Sequence, residues 1–180
     1  MFTDWGNFYL LIGGASGGLI GLVFVVITLI RSGESTITLR SASVYMTPII
    51  VHLLTALVLS ALATAPALPA PAVGAIIAGI GLCAFICAAR VVVMMGIAHS
   101  ISTAHWTDVW AYGFAPLVGY VIVLGAAVTC WIAPDWTARV LAVGLVALLS
   151  IAVRNAWDLV TWITAKGVTV NAPDVQTDLD

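Results

Sequence analysis

The sequence predicts an all-α protein, a polytopic bundle that crosses a membrane with about five helices. Of its 180 residues, 62% are hydrophobic and only 8% are charged, and the mean hydropathy is +1.15. Soluble domains are about 45–50% apolar and about 25% charged, so this chain has too little charge to cover a water-exposed surface. Five apolar segments can each supply the roughly 20 residues that cross a hydrocarbon layer about 30 Å thick. They are expected near residues 8–30, 44–65, 72–97, 112–133 and 138–163.

Each apolar segment is predicted to be a helix because lipid offers the backbone no hydrogen-bonding partner. A membrane β-barrel would show short alternating segments separated by turns, and the sequence shows none. The first segment has no Lys or Arg before it and is too long for the apolar region of a signal peptide. We therefore expect it to remain as a membrane span.

Polar and proline-rich stretches separate the segments and predict the turns between helices. Residues 1–166 are expected to form a single transmembrane domain. The polar, acidic tail 167–180 is expected to be flexible. The separating stretches are residues 31–41, 65–71, 99–113 and 133–136.

Five spans place the two termini on opposite sides of the membrane. Arg31, Arg40, Lys166 and the region near Arg90 then fall on one side, and Arg139 stands alone on the other. Because cytoplasmic loops carry an excess of Lys and Arg, the N-terminus is predicted to lie outside and the C-terminus in the cytoplasm. The seven tryptophans fall near the predicted span ends, where aromatic side chains of membrane proteins collect.

Six polar side chains are predicted to share one layer inside the membrane. Counted from the predicted span ends at 1.5 Å per residue, most of them lie roughly 7–12 Å from the inner surface. Ionisable groups at such a depth are costly, so each needs a partner or a function. The six are His52, Arg90, Tyr120, Arg154, Asn155 and Asp158.

Two interpretations of this polar cluster are open. In the structural one, Asp158 neutralises Arg90, Arg154 or both, and Asn155 fills the remaining hydrogen bonds, so that the helices are locked together. In the functional one, the cluster lines a vestibule that opens to the cytoplasm and binds a small ion. Two arginines against one aspartate leave an excess of positive charge, which suits an anion.

The first segment contains five glycines that predict close helix packing. No lysine follows in the position that a phosphate-binding P-loop needs, and a flexible linker would be hydrophilic, whereas this run lies inside an apolar span. On a helix, Gly13, Gly17 and Gly21 form one groove, and Gly14 and Gly18 form a second groove beside it. Such grooves let helices approach closely in lipid. The expected partner is the third helix or the first helix of another subunit, and we expect a homo-oligomer.

We expect no catalytic residue, bound metal, cofactor or nucleic-acid partner. The chain has no HExxH motif and no paired carboxylates within the spans. His52 and His99 lie at different depths, which disfavours a haem between them, and His99, His105 and Asp108 lack a further zinc ligand. Six Lys and Arg residues and a net charge of −2 provide no basic surface for nucleic acid.

The first and last segments contain residues that carry a resemblance. The last segment contains Asn155, Ala156 and Trp157, and the first contains Phe8, Tyr9, Gly13, Gly21, Leu22, Phe24 and Val25. With these residues the chain resembles a loose group of small, uncharacterised bacterial integral membrane proteins with several helices. The resemblance implies the bacterial inner membrane and a small multi-helix fold, and it implies no activity or site residue.

The sequence therefore predicts a bacterial inner-membrane protein that self-associates through its first helix and forms a channel or permease-like pore for a small ion or solute. Its expected partners are the lipid bilayer, further copies of itself and the transported ion or anion. The alternative is a structural or accessory subunit that transports nothing and packs against a larger complex through its glycine face. An enzyme is the third and least favoured class.

Overall fold

The computed structural model describes the backbone of residues 2–32, 39–66, 68–99 and 109–170. Side chains are described for residues 2–28, 46–66, 68–94 and 110–161. Within these ranges every regular element is helical and no strand occurs.

Five of the helices are long and apolar enough to cross a membrane, which confirms the predicted fold class. A 3₁₀ turn, Thr3–Trp5, precedes the first helix, and a π-helical turn, Val109–Phe114, precedes the fourth. The five are α1 (Gly6–Ser32), α2 (Leu39–Thr64), α3 (Ala70–His99), α4 (Ala115–Ile132) and α5 (Pro134–Val170).

The connection between α4 and α5 is tighter than the sequence predicted. Ala133 alone separates the two helices, and its backbone N–H donates to the carbonyl of Thr129 at 2.9 Å. Pro134 begins α5, a position that suits proline because the first helical residue has no intrahelical use for an N–H. The helix also continues to Val170, beyond the expected boundary at residue 166, and the rest of the expected tail lies outside the described residues.

Neighbouring helices run antiparallel and meet at glycines. In the α3–α4 pair, a Cβ on Gly74 would lie 2.9 Å from Cβ of Cys130, and one on Gly81 would lie 3.2 Å from Cδ2 of Leu124. In the α4–α5 pair, a Cβ on Gly119 would lie 2.8 Å from Cδ2 of Leu148. Without side chains at these points the backbones approach closely, which is how helices associate in lipid.

α2 lies at the centre of the bundle. It packs against α1, α3 and α5. In the apolar membrane-spanning stretch of α2, 56% of the residues are buried, against 17% in α1 and 22% in α3. α4 packs between α3 and α5. Much of α1 and α3 faces the surroundings of the chain, although Tyr9 and Ser16 of α1 are buried.

Arg90 and Arg154 mark one end of the bundle. Each lies twenty residues after the first residue of its helix, Ala70 in α3 and Pro134 in α5. At 1.5 Å per residue this separation is about 30 Å, the thickness of the hydrocarbon layer. When these helices begin at one hydrocarbon boundary, both arginines reach the opposite boundary, which we call the arginine end. The apolar stretches continue past them, to Met94 in α3 and Thr161 in α5, so the depth of both arginines in the membrane stays a prediction.

The described tryptophans lie toward the two ends of the spans, as expected for aromatic side chains at membrane interfaces. The side chains of Trp106, Trp162, Arg31, Arg40 and Lys166 lie outside the described residues. The orientation of the termini depends on these cations and stays a prediction. Trp110 and Trp157 lie at the arginine end, and Trp5, Trp131 and Trp136 at the other.

Candidate functional site

His52 and Tyr120 meet inside the bundle. Nδ1 of His52 lies 2.6 Å from the hydroxyl oxygen of Tyr120, and the ring centroids are 5.5 Å apart. Both side chains are buried, with 1% and 0% exposure. His52 lies twelve residues before the end of α2 and Tyr120 twelve before the end of α4. The shared depth that the sequence predicted for these two residues thus becomes a direct contact between helices.

One nitrogen of this pair has no partner. The hydrogen bond uses Nδ1 of His52, and Nε2 is buried without a hydrogen-bonding partner. A buried polar atom without a partner is costly in apolar surroundings. The pair therefore contributes one hydrogen bond between α2 and α4 and leaves one polar atom of the interior unpaired.

Asn155 supports the π-helical turn rather than a charged group. Its Nδ2 donates to the carbonyl of Ala111 at 3.3 Å, and the hydroxyl of Tyr112 donates to the backbone carbonyl of Asn155 at 2.9 Å. A π-helical turn departs from the regular α-helical pairing, and a side-chain amide can bond a carbonyl of that turn. Oδ1 of Asn155 is buried and unpartnered.

Arg154 and Asp158 pair on the outside of α5. Nη2 of Arg154 lies 3.8 Å from Oδ2 of Asp158, four residues further along the helix, and the side chains are 57% and 43% exposed. The expected neutralisation of Arg154 by Asp158 is present in this loose form. Such exposed pairs contribute about 0–1 kcal/mol, so this one does little to hold the helices together.

Arg90 stands apart from the other five residues. Its side chain is exposed on α3, and among the described residues it forms no ion pair with Asp158. The six polar side chains therefore do not form one cluster. His52 joins Tyr120, Asn155 joins the π-helical turn, Arg154 joins Asp158, and Arg90 remains separate. Depth along a helix was predictable, but the direction in which each side chain points depends on how the helices are rotated.

The glycines of α1 divide into a packed set and an exposed set. A Cβ on Gly13 would lie 3.2 Å from Cβ of Ser60, and one on Gly17 would lie 3.9 Å from Cδ1 of Leu57. A Cβ on Gly14, Gly18 or Gly21 would meet no atom within 4 Å.

Two expectations about these glycines need correction. The partner of Gly13 and Gly17 within the chain is α2 rather than the third helix. Gly21 does not continue their groove, because each step of four residues turns about 40° beyond a full turn. Two such steps carry Gly21 about 80° from Gly13, and it joins Gly14 and Gly18 on the exposed side.

Hydrogen bonds that the sequence did not single out also connect the helices. The hydroxyl of Tyr9 donates to the carbonyl of Ala138 at 2.6 Å, which joins the start of α1 to the start of α5. The hydroxyls of Thr129 and Thr137 are hydrogen-bonded at 3.0 Å across the α4–α5 turn. The sequence could have indicated these bonds, because a tyrosine or threonine hydroxyl inside an apolar span needs a hydrogen-bonding partner.

The described part of the chain brings no three His, Cys, Asp or Glu side chains together as a metal site. The side chains of His99, His105 and Asp108 lie outside it. Comparison with known proteins finds no matching family model, no matching curated protein and no matching solved structure. The resemblance of the first and last segments to small bacterial membrane proteins therefore stays a prediction.

Proposed function

We propose that this chain is one protomer of a homo-oligomeric protein of the bacterial inner membrane. The copies associate through the exposed face of α1 that contains Gly14, Gly18 and Gly21. A path for a small ion or solute then forms between the copies.

The exposed glycines carry this proposal. Gly13 and Gly17 already pack against α2, whereas Gly14, Gly18 and Gly21 are exposed to the surroundings of the chain. An exposed glycine in a helix costs about 1 kcal/mol relative to alanine. In lipid, exposed glycines commonly allow another helix to pack closely against them. This offsets their cost, because packing rather than the hydrophobic effect joins helices there.

The distribution of charge favours a path between copies over a path through one chain. The buried polar side chains of the described residues include no Asp, Glu, Lys or Arg. The charged side chains Arg90, Arg154 and Asp158 all lie at least partly exposed at the arginine end. Two arginines against one aspartate suit an anion, the ion that we propose to pass.

Replacement of one exposed glycine tests the association. Gly18→Leu places a bulky side chain on the proposed contact face without meeting atoms of its own chain. We expect the mass of the particle in nanodiscs to fall from that of an oligomer to that of a monomer. Gly79→Leu is the matched control, since Gly79 is an exposed helical glycine on α3 with equally open space. It should leave the oligomer intact.

Flux measurements test the path itself. Liposomes containing the wild-type protein should release chloride faster than empty liposomes, and Gly18→Leu should abolish the difference. If wild-type protein is monomeric in nanodiscs at every concentration and carries no ion, the pore is excluded. The alternative, an accessory subunit that uses the glycine face to pack against a larger complex, would then be favoured.

A further inference from the structure

The π-helical turn and α4 form one continuous helix that contains a proline. The turn spans Val109–Phe114, and α4 follows at once with Ala115. Phe114, at the junction, has helical backbone angles, with φ −71° and ψ −40°. Pro116 therefore lies inside a helix, where its missing N–H removes one hydrogen bond and its ring crowds the carbonyl four residues before it.

Pro116 leaves one carbonyl without a backbone donor in either of two hydrogen-bonding registers. In a π-helix the carbonyl of a residue accepts from the N–H five residues later, and in an α-helix from the N–H four residues later. The carbonyl that Pro116 cannot serve is therefore that of Ala111 in the π-helical register and that of Tyr112 in the α-helical register. The two registers differ in which carbonyl needs a partner from outside the helix.

Asn155 supplies the missing partner for the π-helical register. Its Nδ2 donates to the carbonyl of Ala111, the carbonyl that Pro116 leaves free in that register. The hydroxyl of Tyr112 donates to the backbone carbonyl of Asn155 at 2.9 Å and joins the turn to α5 a second time. In the α-helical register the N–H of Ala115 would pair with the carbonyl of Ala111, and the amide of Asn155 would lose its acceptor.

The side-chain bond that favours the π-helical register is weak. Nδ2 of Asn155 lies 3.3 Å from the carbonyl oxygen of Ala111, beyond the usual range of about 2.7–3.2 Å. Oδ1 of the same amide is buried without a hydrogen-bonding partner in the described part of the chain. π-helical turns are rare and occur frequently at functional sites. A weak bond that decides between two registers suits a change of conformation better than permanent support.

We propose that the π-helical turn is a conformational switch between these two registers and that Asn155 holds it in the resting, π-helical one. A π-helical turn accommodates one residue more than an α-helical turn does. Conversion therefore rotates the chain before the turn by about 100° relative to α4, the angle of one residue step. The switch does not depend on the proposed self-association, because all of its residues belong to one chain.

The rotation changes the side chains that the bundle presents at the arginine end. Trp110 is half-exposed and Ala111 is buried, and both lie near the start of the turn, where the movement is largest. Gly113 packs the turn against α3, because a Cβ there would lie 3.0 Å from Cγ2 of Val92. The turn therefore has no side chain at this contact to obstruct the rotation.

Distances between spin labels test the switch. Labels at residues 110 and 157 report the rotation, because both positions are exposed at the arginine end, one in the turn and one on α5. A point about 5 Å from a helix axis moves about 5–8 Å when the helix turns by about 60–100°. Labels at residues 118 and 146, exposed beyond the turn on α4 and α5, form the control pair. The native cysteines are replaced, and labelled protein is diluted with unlabelled protein so that distances within one chain are measured.

Three variants should shift the switch. Asn155→Leu preserves the side-chain volume but removes the amide, so we expect a second 110–157 distance beside that of the wild type. Pro116→Ala together with Asn155→Leu restores the missing N–H and relieves the crowding by the ring, so the second distance should predominate. Pro116→Ala alone, which retains the amide of Asn155, should show both distances. Thr137→Val is the matched control, because it removes another buried hydrogen bond of α5 and should leave the wild-type distance.

A 110–157 distance that is the same in the wild type and in all folded variants would overturn the proposal, because the π-helical register would then need neither residue. Pro116→Ala restores a regular backbone and keeps this test available if Asn155→Leu does not fold. A shift of the control pair as well would also overturn the proposal, since the bundle as a whole, and not the turn, would have moved.

Discussion

His52 on α2 and Tyr120 on α4 are joined by a 2.6 Å hydrogen bond in the interior of the bundle. Each residue lies twelve positions before the end of its helix, so the bond connects two helices at equal depth. A bond of this kind sets both the height and the rotation of one helix relative to the other. It is also the only place where the described residues bring two of the six predicted polar side chains together across helices.

Removal of the Tyr120 hydroxyl should destabilise the folded protein. Tyr120→Phe leaves both ring nitrogens of buried His52 without partners, since Nε2 already has none. We expect the free energy of unfolding to fall by about 1–2 kcal/mol. Unfolding in mixed micelles of mild detergent and sodium dodecyl sulfate measures this change.

The double variant provides the control. His52→Leu with Tyr120→Phe replaces both polar partners with apolar groups, which costs less than leaving one of them unpaired. We expect the double variant to be more stable than the sum of the two single changes predicts. Strictly additive effects would show that the two side chains do not depend on each other.

The ion pair between Arg154 and Asp158 should contribute little to stability. Asp158→Asn removes one charge of a loose, exposed pair, and exposed pairs contribute about 0–1 kcal/mol. We therefore expect the variant to be produced in normal amounts and to unfold within about 1 kcal/mol of the wild type. Loss of folded protein would instead indicate the tightly packed charged knot that the sequence allowed.

The number and approximate positions of the helices were predictable because the bilayer leaves few alternatives. Lipid requires an apolar segment of sufficient length to be helical, and five such segments were visible. The direction of a side chain around its helix was not predictable in the same way. Each residue turns the helix by about 100°, so an uncertainty of one residue in the contact face sends a side chain inward or outward. Arg90 illustrates the difference: its position along α3 was clear, and its exposure was not.

The glycines of α1 show the same limit. Their spacing predicted two grooves, and the α1–α2 packing at Gly13 and Gly17 fits one of them. The choice of α2 as the partner depends on which face of that helix offers small side chains. Ser60 opposes Gly13, and this match involves residues about forty-seven positions apart in the chain. No local pattern in the sequence predicts a contact between residues so far apart.

Gly17→Leu should weaken the packing of α1 against α2. The added side chain starts 3.9 Å from Cδ1 of Leu57 and extends toward it, so either the helices separate or Leu57 moves. Overpacking of this kind costs about 1–3 kcal/mol. Unfolding in mixed micelles should show the loss, and Gly79→Leu, at an exposed glycine of α3 with open space around it, should not. Equal stability of the two variants would mean that the α1–α2 contact is not close.

Gly144→Ala tests the close packing of α5 against α4. A Cβ there would lie 2.9 Å from Cγ2 and 3.3 Å from the backbone nitrogen of Val123, and the backbone atom cannot move without shifting α4. We expect the free energy of unfolding to fall by about 1–3 kcal/mol despite the better helix propensity of alanine.

Gly125→Ala is the matched control on α4, where a Cβ meets nothing within 4 Å. It should be neutral or stabilising by up to about 1 kcal/mol. If the two alanine variants unfold alike, the antiparallel contact between these helices is looser than the 2.9 Å distance implies. A difference in the expected direction would show that the absence of a side chain at residue 144 sets the distance between α4 and α5, and with it the position of Tyr120 relative to His52.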